Sequence, residues 1–133
     1  MSDQFCNGAV RVVIASAESR VRKLLSWSLS HDGRFNVVGE VSDGDALVAQ
    51  TEPFDVALVD LTIPGLGVLA VIYRLRRDSP NRAVVVMGHT DAGYVRNAVI
   101  AEGAADYLLL PDDLEKLADR LLNAYNPGIP AAS

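Results

Sequence analysis

The chain has 133 residues, half of them hydrophobic and 6% aromatic, which suffices for one core and hardly for two. A chain of this size buries roughly two-thirds of the surface its unfolded form exposes; the single Cys6, unable to form an internal bridge or a metal cluster, agrees with a fold that needs neither. Twelve basic against seventeen acidic side chains leave a net charge of −5, the wrong sign for displacing counterions from a phosphate backbone, so direct nucleic-acid binding by this chain is disfavoured.

The first apolar run is Val12 to Ala15. Ser19 to His31 then reads as a helix, with Val21, Leu24, Leu25, Ser28 and Leu29 on one face and Trp27 and His31 at its margin, Trp27 as partly buried packing. Phe35 to Val41 is a more mixed strand, nearer a sheet edge. Ser42 to Asp45 has capping-box spacing with Asp in place of Glu and opens a second helix that Thr51 to Pro53 ends. Val56 to Val59 is the third strand, Gly67 to Arg77 the third helix, and Asp78 to Asn81 the following turn. Ala83 to Met87 is a strand, Asp91 to Glu102 a helix stopped by Gly103, and Tyr107 to Leu110 the fifth strand. The last helix follows Pro111, with Asp112 and Glu115 at capping-box spacing and Leu114, Leu117, Leu121 and Leu122 facing inward.

Strands that are nearly continuous apolar runs are covered on both faces, and β-branched residues favour strand over buried helix. Five β-α repeats with short connections imply an α/β, doubly wound, flavodoxin-like fold whose parallel sheet has the order 2-1-3-4-5. Any site then lies at the carboxyl ends of the first and third strands, where the winding reverses. The division is an N-terminal segment over 1–9, one domain over 10–125, and a tail or start of a linker over 126–133. The polar, acidic start is unlike a secretory signal and no apolar run is long enough for a membrane span, so a cytoplasmic protein without membrane contact is expected.

Asp60 is the one carboxylate directly at the end of a central strand. Around it, Asp55 to Gly65, Gly39 to Gly44 and Gly103 to Pro111 together resemble the receiver domain of two-component response regulators, over about Val10 to Asn123. The resemblance implies a phosphoryl group taken onto Asp60, with Tyr107 at the position of the aromatic residue that rotates with the switch. It also implies an acidic pair that holds Mg²⁺, a hydroxyl residue closing the fourth strand, and a lysine before the last proline. Ser16 and Ala17, Gly88 and Leu110 stand at those places, and Pro64 to Gly67 lacks the usual acidic residue before the glycine. Phosphoryl transfer depends on positioning and on neutralising the equatorial oxygens, and Mg²⁺ wants an octahedral oxygen shell anchored by carboxylates. Asp60 with the Thr62 carbonyl is a thin set of ligands; Glu18 is a substitute or a complement to the helix dipole.

The expectation is a degenerate pseudo-receiver with no cofactor and Mg²⁺ bound weakly at best. It works by protein-protein contact or dimerisation, with a histidine kinase or an effector domain as partner. The pocket rim is Glu18, Thr62, Gly88, His89 and Leu110, with Ser16 as the N-cap of the first helix or a loop hydroxyl and His89 as a solvated loop residue. The resemblance places the interaction face at Tyr94, Arg96, Asn97, Asp106, Lys116, Asp119 and Arg120. Two readings of Asp60 stay open: phosphoacceptor, or a carboxylate that caps a loop through backbone amides. The alternative is a phosphorylatable receiver with unusual ligands, as the N-terminal regulatory domain of a transcriptional regulator. A phosphoaspartyl enzyme wants an acid where Thr62 stands, and a flavodoxin-type cofactor binder wants glycine and threonine in the loop from Ser16 to Arg20; neither pattern is present.

Overall fold

The computed structural model describes residues 8–125. In chain order the elements are β1 (Val10–Ala15), α1 (Ser19–Ser30), β2 (Phe35–Val41), α2 (Gly44–Val48), β3 (Val56–Asp60), α3 (Val68–Asp78), β4 (Ala83–Gly88), α4 (Gly93–Glu102), β5 (Asp106–Leu109), a 3-10 turn (Leu114–Lys116) and α5 (Leu117–Tyr125). The sheet is parallel throughout, in the order β2-β1-β3-β4-β5. Cys6, most of the expected N-terminal segment and the expected tail lie outside the described residues.

Successive strand residues point to opposite faces, and the two faces have separate cores. Val13, Ala15, Ala57, Val59, Val84 and Val86 meet Leu47 of α2, Val71, Ile72 and Leu75 of α3, and Val99 of α4. Val12, Ile14, Val56, Leu58, Val85 and Met87 meet Leu25 and Leu29 of α1 and Leu117 and Leu121 of α5. This is why β1, β3 and β4 read as unbroken apolar runs. The mixed pattern of β2 reflects its edge position.

Three local expectations are corrected. On α1 only Leu25 and Leu29 are buried, while Leu24 and Trp27 are 51% and 63% exposed. Trp27 lies about 200° around the helix from Leu25, on the solvent side, where its ring meets His31 at 4.3 Å between centroids. The cap of α2 is Asp43, not Ser42: its carboxylate accepts the Ala46 N–H at 2.7 Å. Gly44 stands next because the Leu66 carbonyl occupies the place of a side chain, and its own N–H donates to the Pro64 carbonyl at 2.9 Å. At the other end of the chain, Asp113 rather than Asp112 organises the approach to α5. Its carboxylate accepts the Leu109 N–H at 2.8 Å and its N–H donates to the Leu109 carbonyl at 2.7 Å.

Candidate functional site

The carboxyl ends of β1, β3, β4 and β5 converge on Asp60, as the reversal of winding between β1 and β3 requires. Ser16, the residue after β1, is fully buried, and its hydroxyl donates to Asp60 Oδ2 at 2.9 Å. The Ser16 hydroxyl oxygen in turn accepts the Glu18 N–H at 3.2 Å. Ser16 is therefore a loop hydroxyl directed at Asp60 and not the N-cap of α1, which is Glu18. The Thr62 N–H and hydroxyl both donate to Asp60 Oδ1, each at 3.0 Å. Both carboxylate oxygens thus receive neutral donors, two of them side-chain hydroxyls.

In front of Asp60 is a cavity of about 490 Å³ lined by Leu61, Thr62, Gly88, His89, Thr90 and Asp91 as well as Asp60 itself. Glu18 and Leu110, expected on its rim, are elsewhere. Glu18 is exposed. The Leu110 side chain packs against the core beneath α1 and α5, because an apolar side chain at a strand end gains by leaving the wet cleft. The Leu110 carbonyl does serve the site, since His89 Nδ1 lies 3.0 Å from it. A carbonyl only accepts, so Nδ1 carries the proton. His89 is the one basic side chain in the lining. Leu61 and Thr90 stand in the stretches that follow β3 and β4, at the strand ends where a site is expected from the sequence; Asp91, three residues past Gly88, is the member of the lining that the sequence did not single out.

Mg²⁺ is the ion such a pocket would hold. The donors fit it poorly: beside Asp60 stand a buried hydroxyl already bonded to it and an exposed alanine, Ala17. Among the described residues no three His, Cys, Asp or Glu side chains are grouped so as to hold a metal.

Along β5 the expected interaction face divides. Arg120 grips Asp106 through two hydrogen bonds of 2.6 and 2.8 Å, and Arg96 reaches the same carboxylate at 3.6 Å. Both arginines also donate to the Tyr107 carbonyl, at 3.1 and 3.3 Å. Burial alone would raise the Asp106 carboxyl, but the bonds from Arg120 and the Tyr107 N–H outweigh it and hold it below the usual value. Asp119 turns away from this face to approach Arg34 at 3.7 Å, because α5 packs on the same side of the sheet as α1. Tyr94, Asn97 and Lys116 are exposed.

Asp106→Asn is expected to cost about 1–3 kcal/mol, because it strips a charged pair of its anion and leaves Arg120 under-satisfied. A carboxyl depressed by folding stabilises above its unfolded value, and that stabilisation is lost as the pH falls through the folded one. The difference in urea midpoint between natural chain and variant should accordingly be full at neutral pH and shrink below the ordinary aspartate range. A difference that does not change with pH would contradict the assignment.

The comparisons agree with this geometry. Residues 12–122 match the response regulator receiver domain family. The chain is 32% identical over 114 residues to a cyclic di-GMP phosphodiesterase of Thermotoga maritima, covering 85% of this chain and 30% of that protein. It is 32% identical over 114 residues to the transcriptional regulatory protein TcrA of Mycobacterium tuberculosis, covering 84% of this chain and 44% of that one. The chain thus spans less than half the length of these relatives. Among solved structures, the signal receiver domain of the response regulator NarL from Mycobacterium tuberculosis superposes with a TM-score of 0.83 at 28% identity, over 89% of this chain and 97% of that one. Among the described residues no helix is long and apolar enough to cross a membrane. With the sheet order, the strand-end aspartate and the family match in agreement, the chain belongs to the response regulator receiver domains of two-component signalling.

Proposed function

We propose that this is an atypical receiver that signals through protein contacts, with Asp60 phosphorylated slowly or not at all. The observation that carries the reading is the set of neutral donors on Asp60, the Ser16 and Thr62 hydroxyls and one backbone N–H. An acidic pocket wants a cation because its carboxylates repel one another; a carboxylate surrounded by neutral donors has no such need. Leu110 supplies no fixed positive charge and Gly88 no hydroxyl. Mg²⁺ therefore binds weakly at best, and the chain itself catalyses nothing. Position 62, where a phosphoaspartyl enzyme wants an acid, holds a threonine bonded to Asp60, and the loop after Ser16 is not a flavodoxin-type phosphate loop.

The domain is the stretch 10–125, and its partner is a histidine kinase, an effector domain or a second copy. Tyr94, Asn97 and Lys116 on α4 and before α5 are the members of the expected face still free to meet it. Arg96, Asp106 and Arg120 serve the fold first. The second reading, a working receiver at the N-terminus of a transcriptional regulator, is favoured by the relatives named for transcriptional control.

Sedimentation and thermal melting of the untreated protein distinguish the two. The reading predicts a dimer at micromolar concentration without any phosphoryl mimic, and no resolvable rise in Tm at millimolar Mg²⁺. A site saturated a hundredfold above its Kd would gain about 2.7 kcal/mol. A monomer that dimerises only with a phosphoryl mimic, or a rise of several degrees abolished by Asp60→Ala, contradicts it.

A further inference from the structure

The end of the sheet opposite Asp60 carries two adjoining cavities of about 320 and 370 Å³, which share Asn81, Arg82 and Tyr125 in their walls. Arg82 stands directly before β4, with its guanidinium carbon 4.0 Å from the centroid of the buried Phe54 ring. That contact holds one face of the guanidinium and leaves its N–H edge unmet. Among the described residues no carboxylate pairs with Arg82, and the ring is its side-chain partner. The two other arginines in the walls are occupied. Arg11 grips Asp55, the one acidic residue in either lining, through Nε and Nη2 at 3.1 and 2.9 Å, and its backbone N–H adds a third bond at 2.9 Å. Arg76 Nη1 donates to the Pro80 and Arg82 carbonyls, each at 2.6 Å. Arg11 thus meets the charge of Asp55, and the walls keep the positive charges of Arg76 and Arg82 in a chain whose net charge is −5.

We propose that this cleft binds the phosphate group of a small molecule, with Arg82 as its anchor. A guanidinium held by one face offers two parallel N–H bonds to an oxyanion. The Ser79 hydroxyl and the Asn81 amide line the same cavity, make no side-chain hydrogen bond among the described residues and supply donors from other directions. A tetrahedral group uses donors outside one plane, where a flat carboxylate does not. The turn is set before any ligand arrives. Besides the bonds from Arg76, the Arg82 N–H donates to the Ser79 carbonyl at 3.0 Å and the Ala83 N–H to the Asp55 carbonyl at 2.9 Å, so little freedom is lost on binding. The cleft lies at the amino ends of β3 and β4, and Asp60 at the carboxyl end of β3. The two sites are therefore separate, and the inference does not rest on the reading of Asp60 given above.

NMR titration of the full chain with inorganic phosphate at constant ionic strength, followed at the backbone amides, tests it, with glycerol 3-phosphate as a second probe. The amide signals of Ser79, Asn81, Arg82 and Ala83 should shift and saturate with a Kd on the order of millimolar, while those of Thr62 and Thr90 at the Asp60 pocket stay in place. Arg82→Gln should weaken binding by about tenfold or more, and Arg82→Lys, which keeps the charge and loses the fork, should weaken it less. Tighter binding of glycerol 3-phosphate than of phosphate assigns the site to phosphate esters, and the reverse assigns it to the free ion. Shifts that do not saturate, that centre on Thr62 and Thr90, or that keep the same affinity in Arg82→Gln overturn the proposal. If Arg82→Gln fails to fold, the double variant Ser79→Ala and Asn81→Ala takes its place. Weakened binding there supports the site, and unchanged affinity overturns it.

Discussion

Combining Ser16→Asp, Ala17→Asp, Gly88→Thr and Leu110→Lys is expected to raise the rate at which Asp60 is phosphorylated by a small phosphodonor by about tenfold or more, and adding Asp60→Asn should abolish the product. The changes return a second and third carboxylate for Mg²⁺, a hydroxyl for the transferred group and a fixed cation, which together supply the positioning and charge neutralisation that phosphoryl transfer needs. These groups act as one constellation, so single reversions should give far less than a quarter of the gain each. The structure adds a cost that the strand-end positions alone do not reveal. An aspartate at the fully buried position 16 would stand against Asp60 in place of a hydroxyl donor, a like-charge contact that only a cation relieves. A threonine at 88 would meet the Tyr107 hydroxyl, and a lysine at 110 would give up contact with the core beneath α1 and α5. The variant should therefore melt below the natural chain without metal and regain part of the loss with Mg²⁺. An unchanged rate of phosphorylation would mean that the four positions are incidental to the state of Asp60.

Ile72→Ala should destabilise by about 2–5 kcal/mol, a large part of the 5–15 kcal/mol or so typical of a whole domain. Ile72 is fully buried between α3 and the sheet, in the cluster it shares with Val71, Leu75, Val84 and Val86. Loss of its side chain leaves a cavity that rigid strands on one side and α3 on the other cannot close. Trp27→Ala removes a larger side chain, but one 63% exposed on α1, and should cost no more than about 0.5 kcal/mol. Urea unfolding checks both: the midpoint should fall for Ile72→Ala at unchanged m-value and stay for Trp27→Ala. A larger loss at Trp27 than at Ile72 would mean that the outer face of α1 is covered.

That contrast marks where the sequence can be read and where it cannot. Unbroken β-branched runs such as Val84 to Val86 announce a strand buried on both faces, because no polar residue survives there. The alternation into two cores follows from the pleat, and the order of the sheet from the repeated β-α units. A helical period, by contrast, states which residues share a face and not how wide an arc the sheet covers. Leu24 and Trp27 fall outside the arc of α1 that Leu25 and Leu29 occupy. At the site, Asp60 stands out by its place at the end of a central strand, and the family's missing ligands are legible as Ser16, Ala17, Gly88 and Leu110. What fills the gaps is not legible. The Ser16 hydroxyl on Asp60, Leu110 turned to the core and the Tyr107 hydroxyl beside Gly88 are each set by neighbours distant in the chain. So is the division of labour on the α4 and β5 surface, where Arg96, Asp106 and Arg120, read as a face for partners, hold one another.

The central claim, that neutral hydroxyls have taken the place of metal and cation around Asp60, is tested most directly by intact-mass spectrometry of the natural chain after incubation with a small phosphodonor and Mg²⁺. The account predicts that the protein keeps its mass under conditions in which the variant carrying Ser16→Asp, Ala17→Asp, Gly88→Thr and Leu110→Lys gains one acid-labile phosphoryl group. Addition of a phosphoryl group to the natural chain as readily as to that variant, lost on Asp60→Asn, would contradict it.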